Sequence, residues 1–394
     1  MSYTFGVLFF VIALLVSVML HEAGHFLTAR RFGMKASRFF VGFGPTLWST
    51  HRGETEYGVK AIPAGGFVKI VGMTDLEEIE PGDEDRAFYR QPAPQKLVVL
   101  SAGSVVHFII AIVLLYLVLA TTGDILKSET TLRIGSISTC VPQNLDTGTC
   151  TTASPKAPAF GKLKPDDTVV AVNGQPVTSY EQMRSVLRAS PGRPVSLTVR
   201  RDGNLVPVTL TPAAVKQGGQ TIGFIGVQPI QRQKPLSVAG AVPRTFTTLG
   251  EMTVQTGKAL GDLPHQVSEI LHGQPRPATG AASVVDIARV SGQIAQAKAS
   301  FGVRLANLVA IVAELNFFVG VFNMLPLLPL DGGHVAIVMF ETARSRVYRL
   351  FGRRDPGRVD LMKIMPFTYA VVALFVGLSL LLLYAGIVNP ISIQ

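Results

Sequence analysis

His21-Glu22-Ala23-Gly24-His25 stands at the end of an almost uninterrupted apolar run from Phe5 to Leu20. On a helix, residues four apart project from one face, so His21 and His25 can approach a single ion together. Two neutral imidazoles at that spacing bind zinc, and the Glu22 carboxylate between them can take a proton from water that the metal activates. The helix that carries this pattern is apolar enough to cross a membrane, where ionisable residues are costly and mark function. A plainer reading is that the two histidines and the glutamate only cap a helix end at the membrane interface.

The rest of the composition agrees with a membrane setting. Of 394 residues, 48% are hydrophobic and only 16% charged, and mean hydropathy is +0.37. That balance excludes an ordinary soluble protein. Four stretches reach the roughly 20 residues that a helix needs to cross about 30 Å of hydrocarbon. They run from Phe5 to about Leu27, Leu97 to Thr121, Leu305 to about Leu330 and Phe367 to Val388. The net charge of +10 does not point to nucleic acid, because no nucleic-acid motif accompanies it. Cytoplasmic loops of membrane proteins collect Lys and Arg.

Those charges predict an orientation. No Lys or Arg precedes the first span, and Arg30, Arg31, Lys35 and Arg38 follow it. A cleaved signal peptide carries its positive charge in front, so the first span reads as an anchor with the N-terminus outside. Arg86, Arg90 and Lys96 precede the second span, and seven basic residues from Arg344 to Lys363 separate the third from the fourth. Both segments are expected in the cytoplasm, and the segment from about Gly123 to Ser300 outside. Long loops cross largely regardless of charge.

Between Arg31 and Lys96 the chain is no simple loop. Gly42-Phe-Gly-Pro45, Glu56-Tyr-Gly-Val-Lys60 and Ile62-Pro-Ala-Gly-Gly-Phe-Val-Lys-Ile70 alternate aromatic and β-branched residues with Gly and Pro. The pattern predicts short strands with tight turns. It is either a soluble hairpin or, as its apolar character favours, one that dips toward the membrane beside the first helix. Residues 75–85 are acidic and read as a solvated loop.

Outside, Thr131 to Ser138, Thr168 to Val172, Val195 to Val199 and Val206 to Leu210 read as strands, and Ser179 to Ala189 as a helix. Asn173-Gly174 supplies a hairpin turn. Cys140 and Cys150 are the only cysteines. Their spacing and external location suggest a disulfide, with two free thiols the alternative. Ser237 to Ser300 reads as amphipathic helices broken at Pro264 and at Gly273-Gln-Pro275. His265 and His272 in that segment receive no role.

The third span ends in Asn323-Met-Leu-Pro326-Leu-Leu-Pro329-Leu-Asp331-Gly-Gly-His334. The prolines break the helix and the glycines let backbone approach closely. Asp331 is expected at the membrane depth of His21 and His25, where two His, one Asp and one water complete a tetrahedral catalytic zinc site. The alternative is a plain helix end with Asp331 solvated. His334 is a candidate only for a place around the ligands.

Taken in order, these motifs resemble the site-2 protease family of intramembrane zinc metalloproteases. They are most similar to the bacterial regulator-of-sigma-factor protease of actinobacterial type, with a single PDZ domain. The resemblance rests on His21 to His25, the Ile62-to-Phe67 loop, Asp85-Arg-Ala-Phe88, Ser101-Ala-Gly103 and Asn323 to His334. The run from Ala159 to Val177 resembles a PDZ domain of the bacterial protease type. Two departures stand out. The family usually has Gly where Asp166 stands, and Pro and Asn where Ser104 and His107 stand; His107 either substitutes for that Asn as a hydrogen-bonding group or simply packs.

The resemblance implies a polytopic α-helical membrane protein with four transmembrane helices, a membrane-associated β-hairpin segment and an inserted α+β PDZ domain. The divisions expected are 1–30, 31–96, 97–122, 123–230 (PDZ), 231–300, 301–341 (third span with Asp331), 342–366 (basic cytoplasmic loop) and 367–394. It implies Zn2+ on His21, His25 and Asp331, with Glu22 as general base. Asn323, and Gly65 and Gly66 in the strand-rich segment, would hold the substrate backbone. The expected substrates are single-span membrane proteins such as anti-sigma factors, cut within the plasma membrane toward its cytoplasmic side, with a peptide as the PDZ ligand. Two other classes stay open: a scaffold with a structural metal, which needs a fourth ligand such as His334, and a metal transporter, which needs several intramembrane ligands along a path.

Overall fold

Ser2 starts the first helix, α1 (Tyr3–Arg31), by accepting a hydrogen bond from the Phe5 backbone at 3.2 Å, and Arg30 and Arg31 fill its last turn. Nothing in its sequence interrupts the ladder, and basic residues at a helix C-terminus complement its dipole. The computed structural model describes residues 1–73, 79–124, 129–142, 150, 154–217, 220–232, 235–272, 276, 280–297 and 299–389. The expected break at Gly273-Gln-Pro275, and residues 75–78 of the acidic loop, lie outside them.

The chain divides into two units, Met1–Thr122 with Leu236–Gln394, and Gly123–Pro235. In the first unit α1 is followed by β1 (Ala36–Arg52), β2 (Thr55–Ile70) and α2 (Ala93–Thr121). After the second unit come α4 (Val238–Leu271), α5 (Val284–Gln296), α6 (Phe301–Asn323), α7 (Asp331–Leu350) and α8 (Met365–Val388), the label α3 belonging to the second unit. Among the described residues, α1, α2, α6 and α8 are long and apolar enough to cross a membrane.

Close helix packing fixes α1 against α2. A Cβ on Gly24 would fall 2.9 Å from the Ala102 carbonyl oxygen and 3.0 Å from Val106. Phe108 of α2 meets Phe317 of α6 edge-on, with ring centroids 5.9 Å apart. At one end of the helices Ala29, Met34, Ile70, Phe88, Val99, Leu100 and Val338 form a buried cluster that joins α1, β2, α2 and α7.

β1 and β2 form one long ribbon instead of the short strands expected between residues 31 and 96. The ribbon folds back on itself: residues 38–41 pair with 66–69 on one side and with 56–59 on the other. Glycines and register shifts allow long strands to bend in this way, which is why the sequence looks fragmented. Arg86 anchors the β1–β2 turn, gripping both oxygens of Glu54 at 2.6 and 2.7 Å and donating to the Gly33 carbonyl at 3.0 Å. The guanidinium holds the Glu54 carboxyl below its ordinary range.

Two boundaries follow from the prolines. As the prolines imply, the helix breaks within 301–341: α6 stops at Asn323, and Asp331 opens α7, which runs on to Leu350 through the start of the expected 342–366 loop. Pro326 and Pro329 cannot donate to a helical ladder, so the chain must re-enter a helix after them. The expected break at Pro264 does not occur, and α4 continues from Val238 to Leu271. A proline removes one donor and kinks a helix, but the flanking ladder can carry it through.

The second unit is an α+β domain. β3 (Glu129–Ile137), β4 (Thr168–Val172), β5 (Gln175–Pro176), α3 (Tyr180–Arg188), β6 (Val195–Arg201), β7 (Asn204–Leu210), β8 (Ala213–Gln217), β9 (Gln220–Phe224) and β10 (Val227–Arg232) follow in order. One sheet runs β10-β3-β4-β6-β7 with β5 on β4, and β8 pairs with β9. Its last strand carries the unit beyond the expected boundary at 230, and β8, β9 and β10 were not anticipated. Ile134, Val169, Leu187, Leu197 and Leu210 lie in its core. Asp166, where the resembled PDZ domains usually have Gly, takes a left-handed turn with φ 74°. Its carboxylate pairs with Arg133 at 3.0 Å. Cys140 and Cys150 lie side by side, with Cα atoms 6.3 Å apart.

Candidate metal centre

α1 presents His21 and His25 from one buried face, and α7 presents Asp331 from its first residue. The Nε2 atoms of the two imidazoles are 3.2 Å apart. Asp331 Oδ2 lies 3.4 Å from each of them. Ligands about 2.0–2.1 Å from a tetrahedral zinc lie about 3.3 Å from one another, the edge of the tetrahedron. The three observed separations bracket that edge. Asp331 Oδ2 is buried and makes no hydrogen bond within the described residues, an arrangement that is costly unless a cation answers the charge. Chain segments about 300 positions apart in sequence therefore bring together the two imidazoles and the carboxylate that the sequence singled out.

The surrounding groups prepare these atoms. His25 Nδ1 lies 2.7 Å from the Val99 carbonyl oxygen. A carbonyl only accepts, so Nδ1 carries the proton and Nε2 offers its lone pair. Gly103 of α2 faces both rings: a Cβ there would overlap His21 and fall 2.5 Å from His25 Nε2.

Glu22 stands between the cluster and β2, with the Val68 backbone near its carboxylate. Gly66 is adjacent. A Cβ at Gly66 would sit 2.9 Å from Met19 Sδ and 3.5 Å from Glu22 Cγ. Gly65 has φ 129°. Asn323 is the last residue of α6, before the turn that leads to Asp331.

His107 hydrogen-bonds rather than merely packs. Asn316 donates to Ser17 Oγ at 3.0 Å and to the Val312 carbonyl at 2.8 Å. Both amide hydrogens are then used, and Oδ1 accepts from His107 Nδ1 at 2.8 Å. The His107 ring centroid lies 4.9 Å from that of His21. This buried link ties α1, α2 and α6 beside the cluster. Asn316 and Ser17 were missed in the sequence, although polar residues within apolar spans are a visible signal. His334 is not among the converging ligand atoms and lines a separate cavity with Lys96, Glu341 and Arg358.

Comparison with known proteins agrees with the geometry. Residues 9–353 match the family model described as Peptidase family M50. The chain is similar to the zinc metalloprotease Rip1 of Mycobacterium tuberculosis strain H37Rv, 40% identical over 413 aligned residues that cover all of both chains. It is 38% identical over 412 residues, again all of both chains, to Rip1 of Mycolicibacterium smegmatis. A putative zinc metalloprotease of Nostoc is 30% identical over 347 residues, covering 86% of this chain and 87% of that one.

Proposed function

The chain belongs to peptidase family M50, the site-2 protease family, and is a multi-pass membrane zinc metalloprotease; from that premise we propose that it cuts single-span membrane proteins, such as anti-sigma factors, inside their spans. The observation that carries the reading is the tetrahedral edge drawn by His21, His25 and Asp331 on elements that adjoin apolar helices. Three converging ligands are the number of a catalytic zinc, which keeps one position open, and four that of a closed structural one.

In this reading His21, His25 and Asp331 hold Zn2+. Bound there, zinc polarises a carbonyl oxygen and lowers the pKa of water. Glu22 is the base: its carboxylate takes the proton of the attacking water and delivers it to the departing amide nitrogen. A peptide bond within a helix is shielded by its own ladder, so the substrate must first become extended. Residues 65–69 lie beside Glu22, where an extended substrate can add to the sheet, with Gly65 and Gly66 allowing close approach. Asn323, at the end of α6, holds the substrate backbone.

In this reading the active site lies toward the cytoplasmic side of the plasma membrane, with the N-terminus and the second unit outside; the basic segments after α1 and around α7 support it. The second unit, read as a PDZ domain closed by the Cys140–Cys150 disulfide, receives a peptide at a sheet edge.

Purified protein in lipid nanodiscs, given single-span candidates, is the test. The wild type is expected to cut within the span, and Glu22→Gln to lose about 10²- to 10⁴-fold in rate, the usual contribution of a positioned base, while binding zinc as the wild type does. Undiminished cleavage by Glu22→Gln contradicts the assignment.

A further inference from the structure

Glu314 stands near the middle of α6, in the apolar stretch that spans the membrane, and its side chain is exposed on the flank of the helix. Its neighbours Ala313, Asn316 and Phe317 are buried against the other helices. Among the described residues the Glu314 carboxylate makes neither a hydrogen bond nor an ion pair. A carboxylate at this depth is costly against hydrocarbon, and such residues pair with something.

The stripe that carries it gives a direction. Glu314, Phe318 and Phe322 are spaced by four and lie along one side of α6. Phe318 is 40% exposed. It stacks on Phe322 at 5.7 Å, and the Phe322 ring meets Phe375 of α8 at 5.3 Å. The stripe thus starts at an open carboxylate and ends where α6 meets α8, one residue from Asn323 and the turn to Asp331.

We propose that Glu314 reads a hydrogen-bond donor in the span of the substrate. The occupant is a transmembrane helix of a second protein that lies along the Glu314–Phe318–Phe322 stripe and carries Ser, Thr, Asn, Gln or Lys opposite the carboxylate. The charge selects this occupant: a lipid tail or an all-apolar helix leaves the carboxylate unanswered, and a donor-bearing helix satisfies it. At 1.5 Å per residue, Glu314 lies about 13 Å along α6 from Asn323. The donor therefore falls roughly nine helical residues outward of the extended segment that is cut. Inward of it the substrate meets aromatic rings and then the catalytic end of the stripe. The proposal rests on the reading of the chain as an intramembrane protease and adds the feature by which that protease selects a span.

The experiment uses the full-length protein in nanodiscs with two designed substrates. Both have a leucine-rich span; one carries a single Asn at the inferred depth, the other Leu. The wild type is expected to cut the Asn span with a KM about three- to thirtyfold lower, the range of one interhelical hydrogen bond in a membrane. Glu314→Leu is expected to abolish that preference and leave kcat on the Leu span unchanged, with Glu314→Gln keeping part of it. Oxidative crosslinking of Glu314→Cys to a cysteine at the Asn position is expected to give a protease–substrate adduct. A preference that survives in Glu314→Leu overturns the proposal. So does a Glu314→Cys adduct between two protease molecules without the substrate adduct, which assigns the face to a second copy. Loss of both the preference and the adduct, with cleavage intact, leaves lipid on that face and likewise overturns it. If the wild type cuts neither span and the adduct still forms, the protease reading fails and the docking surface stands.

Discussion

Gly103 has no side chain, yet it bears closely on the rings of His21 and His25. α2 passes so close to the face of His21 and His25 that a single methyl group at Gly103 overlaps the first ring and crowds the second. Gly103→Ala is expected to move an imidazole off the tetrahedral edge and weaken zinc binding about 10- to 100-fold, the usual effect of disturbing groups behind a ligand. Isothermal competition with a chelator measures it, and wild-type affinity in Gly103→Ala contradicts the packing argument. His21, Glu22 and His25 were legible in the sequence because the helix period alone puts both imidazoles on one face. Asp331 was legible because two prolines and two glycines mark a helix end. The roles of Gly103, Asn316 and Ser17 were not legible, because each depends on which helix lies opposite, and that is decided by packing between segments far apart in the chain.

At the scale of elements, the folded ribbon of β1 and β2 shows where sequence pattern misleads. Gly58, Pro63, Gly65 and Gly66 make the segment look like separate strands, whereas all four lie within one continuous strand, β2, which comes close to α1 at Gly66. The Asp202-Gly203 pair was an available signal of the hairpin between β6 and β7, and both residues have positive φ. Gly66 offers a test of the ribbon as substrate platform. A β-branched side chain there collides with Met19 and with the Phe40 carbonyl. Gly66→Val is expected to shift residues 65–69 away from Glu22, lowering kcat/KM at least tenfold with zinc content unchanged. Loss of zinc together with activity instead makes the ribbon a structural support of α1. The same comparison separates Gly66 from Gly103, whose substitution acts on the metal first.

Across the whole molecule, two units of different chemistry sit in one chain, and their responses to pH are expected to differ. The second unit depends on an ion pair: Arg201 donates to both oxygens of the buried Asp167 at 2.8 and 2.6 Å. Asp167 also accepts from the Lys164 backbone at 2.8 Å. The Arg201 guanidinium, ahead of the backbone donor, holds the Asp167 carboxyl below its ordinary range. A carboxyl depressed in the folded state contributes its full stability above the unfolded value of about 3.9 and loses it as pH falls through the lower folded value. The pair is therefore complete at neutral pH, and its contribution fades only below about pH 4. Hydrogen exchange measured on the full-length protein reads each unit separately. Once corrected for intrinsic rates, amides of β4 and β6 are expected to lose protection as pH falls below that point. Asp167→Asn removes the titrating group, so its β4 and β6 protection is expected to start lower at pH 7 and change less on acidification. If wild type and Asp167→Asn lose protection in parallel, another carboxylate governs the acid response of this unit, and the Asp167–Arg201 pair is only a local contact.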